Sequence, residues 1–172
     1  MNRNRIGLSP IAFIMVVCFV AGPIKSSENS TQLYHRAAKL AIDGNIDESI
    51  SIFKRVIEVN PYYALGHYGI GKAYLYKEGK LADAIVHLRK AVELDRKLSK
   101  GHFYLGMALM FNKRYVHALH SFHRAYRYDK SGIEALYNIA VIYDIMKSTQ
   151  KAQRFFEQYF YLKERGERDI LF

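Results

Sequence analysis

The sequence has a single cysteine, no tryptophan and only three prolines among its 172 residues. With Cys18 alone, the chain can form neither an intramolecular disulfide nor a thiolate metal site. The sequence also lacks a nucleophile elbow, a paired-carboxylate site and a spacing typical of metal ligands. We therefore predict that the protein is not an enzyme and that it uses no cofactor and no metal.

Acidic residues are also few. The sequence has 16 Asp and Glu and 26 Lys and Arg, which gives a formal net charge of +10. Half of the residues are apolar, which is enough for one real core. The 14 tyrosines and 10 phenylalanines add many aromatic rings. A basic, aromatic-rich chain can contact nucleic acid, an anionic membrane or acidic proteins, and composition does not choose among them.

One short stretch, GHYGIGKA at 66–73, has the glycine spacing of a phosphate-binding loop. Such a loop needs Ser or Thr after its lysine to hold magnesium, but Ala73 follows Lys72. It also needs a buried strand in front of it, whereas Asn60 and Pro61 indicate a break. The sequence therefore excludes a nucleotide site here.

The N-terminus has the charge pattern of an export signal. Arg3 and Arg5 precede an uncharged stretch, 6–24, and Lys25 follows it. We predict that 1–27 is a signal peptide or an uncleaved N-terminal membrane anchor. Both alternatives export the remainder, to the periplasm or to a membrane-anchored position facing away from the cytoplasm. Val17 stands where a lipoprotein signal has a small residue, so Cys18 is interpreted as an inert apolar side chain.

The rest of the chain repeats. Four frames begin at Ser30, Ala64, Ser99 and Ile133, at spacings of 34, 35 and 34 residues. Each frame holds two segments with helical periodicity, joined by a short polar turn. The predicted units are 30–63, 64–98, 99–132 and 133–166, followed by a C-terminal tail, 167–172.

The repeats share small and large residues at fixed places. The second frame has Gly71, Tyr74, Ala84 and Leu88, the third has Gly106, Leu109, Ala118 and Phe122, and the fourth has Ala140, Tyr143, Ala152 and Phe156. In these residues the chain resembles the tetratricopeptide repeat family. The resemblance implies an all-α fold, a right-handed superhelical α-solenoid of about four helix-turn-helix repeats.

Gly71 and Gly106 then lie inside first helices, where a side chain would block the second helix of the same repeat. Glycine inside a helix costs about 0.5–1 kcal/mol relative to alanine, so we expect close packing to explain its presence. Gly79 comes one place late in its frame, which predicts a longer turn in the second repeat.

The resemblance also implies that the first helices line a concave groove that binds peptides or partner helices. The fifth place of each frame is aromatic. For the thirteenth place, core and groove are both open, and Tyr76 and Phe111 are counted with the groove. The predicted groove residues are Tyr34, Tyr68, Lys72, Tyr76, Phe103, Met107, Met110, Phe111, Tyr137 and Val141. Such a surface suits an apolar or aromatic peptide.

One subgroup of the family clamps C-terminal carboxylates with Lys and Asn in the groove. Here the corresponding places are mostly aromatic or aliphatic, with Lys72 and Asn138 as isolated exceptions. We therefore expect neither that binding mode nor a heat-shock chaperone as partner.

The third repeat carries an excess of positive charge, interpreted either as a solvated face or as a contact surface for anionic lipid or wall polymer. The predicted basic patch comprises Lys113, Arg114, Arg124, Arg127 and Lys130. On the same second helix, His117, His120 and His123 drift round the axis, so we expect exposed histidines and not a metal site.

The last helix carries five aromatics in FFEQYFYL, 155–162, with no further repeat to cover them. We expect either that the tail folds over this helix or that the helix docks a partner or a second copy as a homodimer.

Together these features predict a non-catalytic scaffold or adaptor in the bacterial cell envelope, acting in secretion, pilus or envelope-complex assembly. The alternative is a peripheral tether to an anionic membrane or wall polymer through the basic patch. The export signal and the apolar groove argue against nucleic-acid binding.

Overall fold

The structure, a computed structural model, describes residues 28–169, with side chains for 28–166. The predicted signal or anchor and Cys18 lie outside the described residues, as does the end of the tail. The described chain is all-α, as predicted, and contains no strand. Its eight helices are α1 (Ser30–Ile42), α2 (Ile46–Val59), α3 (Ala64–Leu75), α4 (Leu81–Leu94), α5 (Ser99–Phe111), α6 (Tyr115–Tyr128), α7 (Glu134–Ile145) and α8 (Thr149–Asp169).

The first helix begins at a capping box. The side chain of Asn29 accepts a hydrogen bond from the Gln32 backbone N–H at 2.9 Å, and the Gln32 side chain accepts one from the Asn29 N–H at 3.1 Å. These bonds satisfy two donors that the helix start would otherwise leave unpaired. The chain leaves α1 through Gly44, whose φ of +85° is a conformation that favours glycine.

Consecutive helices pair as four antiparallel hairpins, α1–α2, α3–α4, α5–α6 and α7–α8, and the hairpins stack in chain order. The second helix of each hairpin packs on the first helix of the next, and neighbouring first helices also touch along α1, α3 and α5. A lone hairpin cannot bury its own apolar face, so stacking supplies the core. The solenoid predicted from the repeats is confirmed.

Small residues hold the two helices of each hairpin close together. A Cβ placed on Gly71 would lie 2.6 Å from Leu88 Cγ, and one on Gly106 would lie 2.8 Å from Phe122 Cδ1. Ala84 is fully buried on the facing helix. Real Cβ contacts are never that short, so the packing role predicted for these glycines is confirmed.

A second set of small residues lies between hairpins and was not identified from the sequence. A Cβ on Gly66 would lie 2.9 Å from side-chain atoms of both Val56 and Ile57 in the preceding repeat. One on Gly101 would lie 3.0 Å from Val92. Each glycine occupies the third place of its repeat. The junctions between repeats therefore need a small residue there.

The turn between α3 and α4 spans 76–80, five residues, whereas the other three intra-hairpin turns span three residues each, 43–45, 112–114 and 146–148. The longer turn predicted from Gly79 is confirmed. Gly79 itself has a φ of +70°.

The last helix is longer than predicted. It has 21 residues and continues to Asp169, three residues into the expected tail, whereas its partner α7 has 12. The end of α8 therefore extends past the helix on which it packs. Among 28–169, no helix combines the length and the apolar character required to cross a membrane.

Candidate functional site

The aromatic residues at the fifth place are held in position, because three of them pack on the second helix of their own hairpin. The ring centroids of Tyr34 and Phe53 are 5.6 Å apart, and those of Phe103 and Phe122 are also 5.6 Å apart. Tyr137 packs on the last helix in the same way, 5.5 Å from the Phe156 ring. Tyr68 is only 7% exposed. Edge and tilted ring contacts of this kind fix ring positions.

A cavity of about 470 Å³ opens between α1 and α3, on the face formed by the first helices. Four aromatic side chains line it, Tyr34, Phe53, Tyr68 and Tyr76, and Gly69 keeps its floor open. Gly69 has no space for a side chain, because a Cβ there would overlap the Phe53 ring. The cavity is lined by Tyr34, Ala38, Ala41, Ile42, Ile46, Phe53, Tyr68, Gly69, Lys72, Ala73, Tyr76 and Lys100.

A second cavity, of about 270 Å³, continues from the first toward α5 and the start of α7. Tyr68, Lys72 and Lys100 line both cavities, so the two form one continuous surface. We call this surface the groove. The second cavity adds Ser99, Phe103, Tyr104, Ala125, Asp129, Gly132 and Glu134.

Two lysines stand where the cavities join. The Nζ of Lys72 lies 5.1 Å from the centroid of the Tyr104 ring, a cation–π contact that holds the ammonium group over the groove. Lys100 is exposed on the first turn of α5. At the far end the groove becomes acidic at Asp129 and Glu134. A ligand lying along both cavities would therefore contact aromatic rings throughout, two cations where the cavities join, and two carboxylates in the second cavity.

Comparisons with known proteins agree with this architecture. The family model of the tetratricopeptide repeat matches residues 64–98 and 133–165. A crystal structure of MamA is 26% identical, with a TM-score of 0.68 over 74% of this chain and 74% of that one. The described chain has the fold of a tetratricopeptide repeat protein. Members of this family are protein–protein interaction scaffolds, and we assign this chain to that general class.

Two further solved structures share this fold. MamA 41-end from Desulfovibrio magneticus RS-1 is 18% identical, with a TM-score of 0.71 over 80% of this chain and 77% of that one. The first TPR of Spaghetti (RPAP3), bound to the HSP90 peptide SRMEEVD, is 21% identical, with a TM-score of 0.66 over 73% and 99%. No curated protein matches the chain by sequence.

Burial further favours the neutral form of three groove tyrosines. Burial raises the pKa of Tyr34, Tyr68 and Tyr104 above the ordinary value. Neighbouring tyrosines raise the pKa of Tyr34 and Tyr68 further. The three hydroxyl groups therefore stay protonated at physiological pH and can both donate and accept hydrogen bonds.

The thirteenth place of every repeat carries an exposed apolar side chain. Ile42 is 86% exposed, Tyr76 65%, Phe111 53% and Ile145 45%. This row follows the ends of the four first helices. The sequence did not decide whether the thirteenth residue of each repeat belongs to the core or to the groove. The exposure of these four side chains excludes the core. Ile42 and Tyr76 line the groove, while Phe111 and Ile145 extend the row beyond it.

The other predicted groove residues lie beyond the two cavities. Met107, Met110 and Val141 are half-buried on α5 and α7, and Tyr137 is 43% exposed over α8. Among the groove residues that are absent from the sequence prediction are Lys100 and Tyr104. They occupy the second and sixth places of their repeat, where the other repeats carry no common residue type, so the repeat pattern held no signal for them.

The predicted basic patch is divided between the two ends of one helix. Lys113 and Arg114 precede α6, whereas Arg127 and Lys130 are at its other end, about 20 Å away for a 14-residue helix. All of these side chains are exposed, as is Arg124 on α6. The Nζ of Lys130 lies 4.1 Å from the Tyr126 ring centroid. The five cations thus surround α6 without forming one cluster.

The three histidines of α6 lie in different surroundings. His117 and His120 line an open hollow on the outer side of the stack, between α4 and α6, and His123 packs edge-on against Phe155, with ring centroids 5.7 Å apart. Within the described residues, no group of three or more His, Cys, Asp or Glu side chains is placed to hold a metal ion.

A pair of histidines joins α3 to α4. The Nδ1 atoms of His67 and His87 are 3.2 Å apart, and His67 Nε2 is 3.2 Å from the Pro61 carbonyl oxygen. A carbonyl can only accept, so Nε2 of His67 carries the proton and its Nδ1 accepts one from His87. Burial lowers the pKa of both histidines, and the charge of His67 lowers that of His87 further.

Acidification is therefore expected to destabilise the protein through this pair. Because the folded state disfavours the charged form, its contribution to stability is complete above the ordinary histidine pKa of about 6.5 and is lost as the pH falls below it. We expect the free energy of unfolding in urea to fall between about pH 7 and pH 5, and to fall less in a His87→Gln variant. Val86→Gln, on the exposed side of α4, is the control and should keep the parent's slope.

Proposed function

We propose that this tetratricopeptide repeat protein is a non-catalytic scaffold that binds an apolar or aromatic peptide segment of a partner protein along the groove. The observation that carries the proposal is the continuity of the two cavities through Tyr68, Lys72 and Lys100. Tyrosine rings offer a large apolar face at a low entropic cost, and their hydroxyls remain available for hydrogen bonds. An extended or helical peptide of several residues fits such a surface.

The two lysines favour a peptide that carries an acidic side chain between its apolar residues. Lys72 and Lys100 would face that carboxylate at the junction of the cavities. Among the structural neighbours, the TPR of Spaghetti (RPAP3) was solved with an acidic peptide, SRMEEVD. That likeness supports peptide binding as a class and does not identify the partner.

The setting of the proposal is the cell envelope, where the scaffold would serve secretion, pilus or envelope-complex assembly. It rests on the charge pattern of 1–27, which is that of an export signal. A reporter enzyme that is active only after export, fused behind the fourth repeat, should be active in cells, and an inactive fusion would contradict export.

Peptide selection tests the groove directly. Peptides selected from a random library on the purified protein should be apolar or aromatic and should contain an acidic residue. Their affinity should fall by more than about tenfold for Tyr76→Ala/Lys100→Ala, because both side chains project into the groove. Both are exposed, so the fold should survive. Fluorescence anisotropy measures the dissociation constants.

The matched control is Tyr62→Ala/Lys97→Ala, which removes the same two side-chain types at exposed positions outside the groove. It should bind like the parent protein. Equal loss in the two double variants would show that binding does not use the groove and would overturn the proposal.

The alternative function is a tether to an anionic membrane or wall polymer. The observation that favours it is the composition of α6, which has exposed Arg124 and Arg127 and no acidic residue. Polyanion binding falls steeply with salt, whereas groove binding of an apolar peptide depends on salt only weakly. If Arg124→Glu/Arg127→Glu abolishes binding to anionic vesicles and the groove variant leaves it intact, the tether replaces the groove as the function.

A further inference from the structure

Each junction between repeats follows one rule. The third residue of the next repeat is small and packs close to the last turns of the second helix. Gly66 packs on Val56 and Ile57, and Gly101 packs on Val92 and on Leu98, the residue just before α5. At the third junction the small residue is Ala135, which is fully buried.

Helix α8 is the last helix of the described residues, and it presents the same kind of surface with no other described helix packed upon it. The residues at the places of Val56 and Ile57 are Tyr159 and Phe160. Phe160 is 52% exposed, and the adjacent Tyr161 is 59% exposed. These rings border an open hollow of about 640 Å³, lined by Asp144, Thr149, Ala152, Gln153, Phe156, Glu157, Phe160, Tyr161 and Glu164.

The charge of this hollow is opposite to that of the protein. Its lining includes Asp144, Glu157 and Glu164 and, among the described residues, no lysine or arginine. The chain as a whole has a formal net charge of +10. An occupant with basic flanks would therefore be attracted to this end of the stack in particular.

The first repeat of a second copy fits the surface poorly. At the third place, where a small residue is required, α1 carries Gln32, and that side chain is already held in the capping box with Asn29. A second copy therefore lacks the small third-place residue that would allow its first repeat to pack on α8.

We propose that the exposed face of α8 docks an apolar helix of a partner protein that has basic flanks. The partner helix carries Gly or Ala where it crosses Phe160 and takes the place that the first helix of a fifth repeat would occupy. Apolar contact with Phe156, Phe160 and Tyr161 supplies the affinity, and the acidic rim selects basic flanks. This site is separate from the groove.

The probe is a synthetic peptide of this chain's own α5 segment, residues 97–114. It carries Lys97, Lys100, Lys113 and Arg114, no acidic residue, and the small residue Gly101 at the third place. Binding of the labelled peptide to the full protein is measured by fluorescence anisotropy, with the same peptide bearing Gly101→Gln as control. The sedimentation of the protein alone is measured in parallel.

We expect the parent peptide to bind and the Gly101→Gln peptide to bind more than about tenfold more weakly. Phe160→Glu in the protein should weaken the parent peptide by a similar factor. Phe111→Glu, an equally exposed phenylalanine elsewhere, should not, and neither should the groove variant Tyr76→Ala/Lys100→Ala. These expectations do not depend on the peptide selection that tests the groove, because the α8 face and the groove share no residue.

Three results would overturn the docking proposal. The first is binding that Phe160→Glu leaves intact, and the second is binding that the groove variant removes. The third is a protein that sediments as a dimer and becomes a monomer with Phe160→Glu, because a second copy would then be the occupant of this face.

Discussion

Replacing Phe122 by alanine is expected to lower the free energy of unfolding by about 3–5 kcal/mol, the largest effect that we expect of a single substitution. Phe122 is fully buried at the centre of the stack. Its ring lies beneath Gly106 and packs edge-on against Phe103, with centroids 5.6 Å apart. Alanine would leave a ring-sized void that the surrounding helices cannot close, because Gly106 has no side chain to fill it.

Urea denaturation followed by circular dichroism measures this change, and Phe111→Ala is its control. Phe111 belongs to the same repeat but is 53% exposed, so its loss should change stability by less than about 1 kcal/mol. Similar losses for the two variants would mean that the repeat core is not organised around Phe122.

Replacing Gly71 by alanine is expected to lower the free energy of unfolding by about 1–3 kcal/mol through overpacking. The added Cβ would lie 2.6 Å from Leu88 Cγ and 3.1 Å from the Leu88 backbone nitrogen. Leu88 is fully buried, so its side chain has little space to retreat. Alanine is the better helix former by about 1 kcal/mol, and the clash must exceed that gain.

The same substitution at Gly166 should act in the opposite direction. Gly166 is also inside a helix, α8, but nothing lies within 4 Å of a Cβ placed there. Only the helix propensity remains, so Gly166→Ala should raise stability by up to about 1 kcal/mol. Equal effects of the two variants would show that Gly71 is not at a close helix contact.

The repeat pattern was enough to predict the helices and the packing within each hairpin. A residue such as Gly71 or Ala84 occurs at a fixed place because two helix axes approach there, and the same approach recurs in every repeat. Local geometry repeats with the sequence, so a pattern in one predicts the other. The one exception in spacing, at Gly79, was also visible, because an inserted residue shifts everything that follows.

The groove was predicted only in part, because it is composed of what differs between repeats. Lys100 and Tyr104 have no counterparts in the other frames, and only the stacked structure shows that they face Lys72. The division of the basic patch has a similar cause. Lys113 and Lys130 belong to one repeat in sequence, but a helix of 14 residues separates them in space.

The nearest-neighbour stacking also has a consequence for how the chain reaches its fold. Among the described residues, every extensive contact joins helices that are one or two positions apart along the chain, so a hairpin does not depend on a distant segment for its main contacts. Such topologies have low contact order and fold rapidly. A chain that emerges with its N-terminal end first can therefore fold one repeat at a time. Each folded repeat then provides the surface on which the next repeat packs.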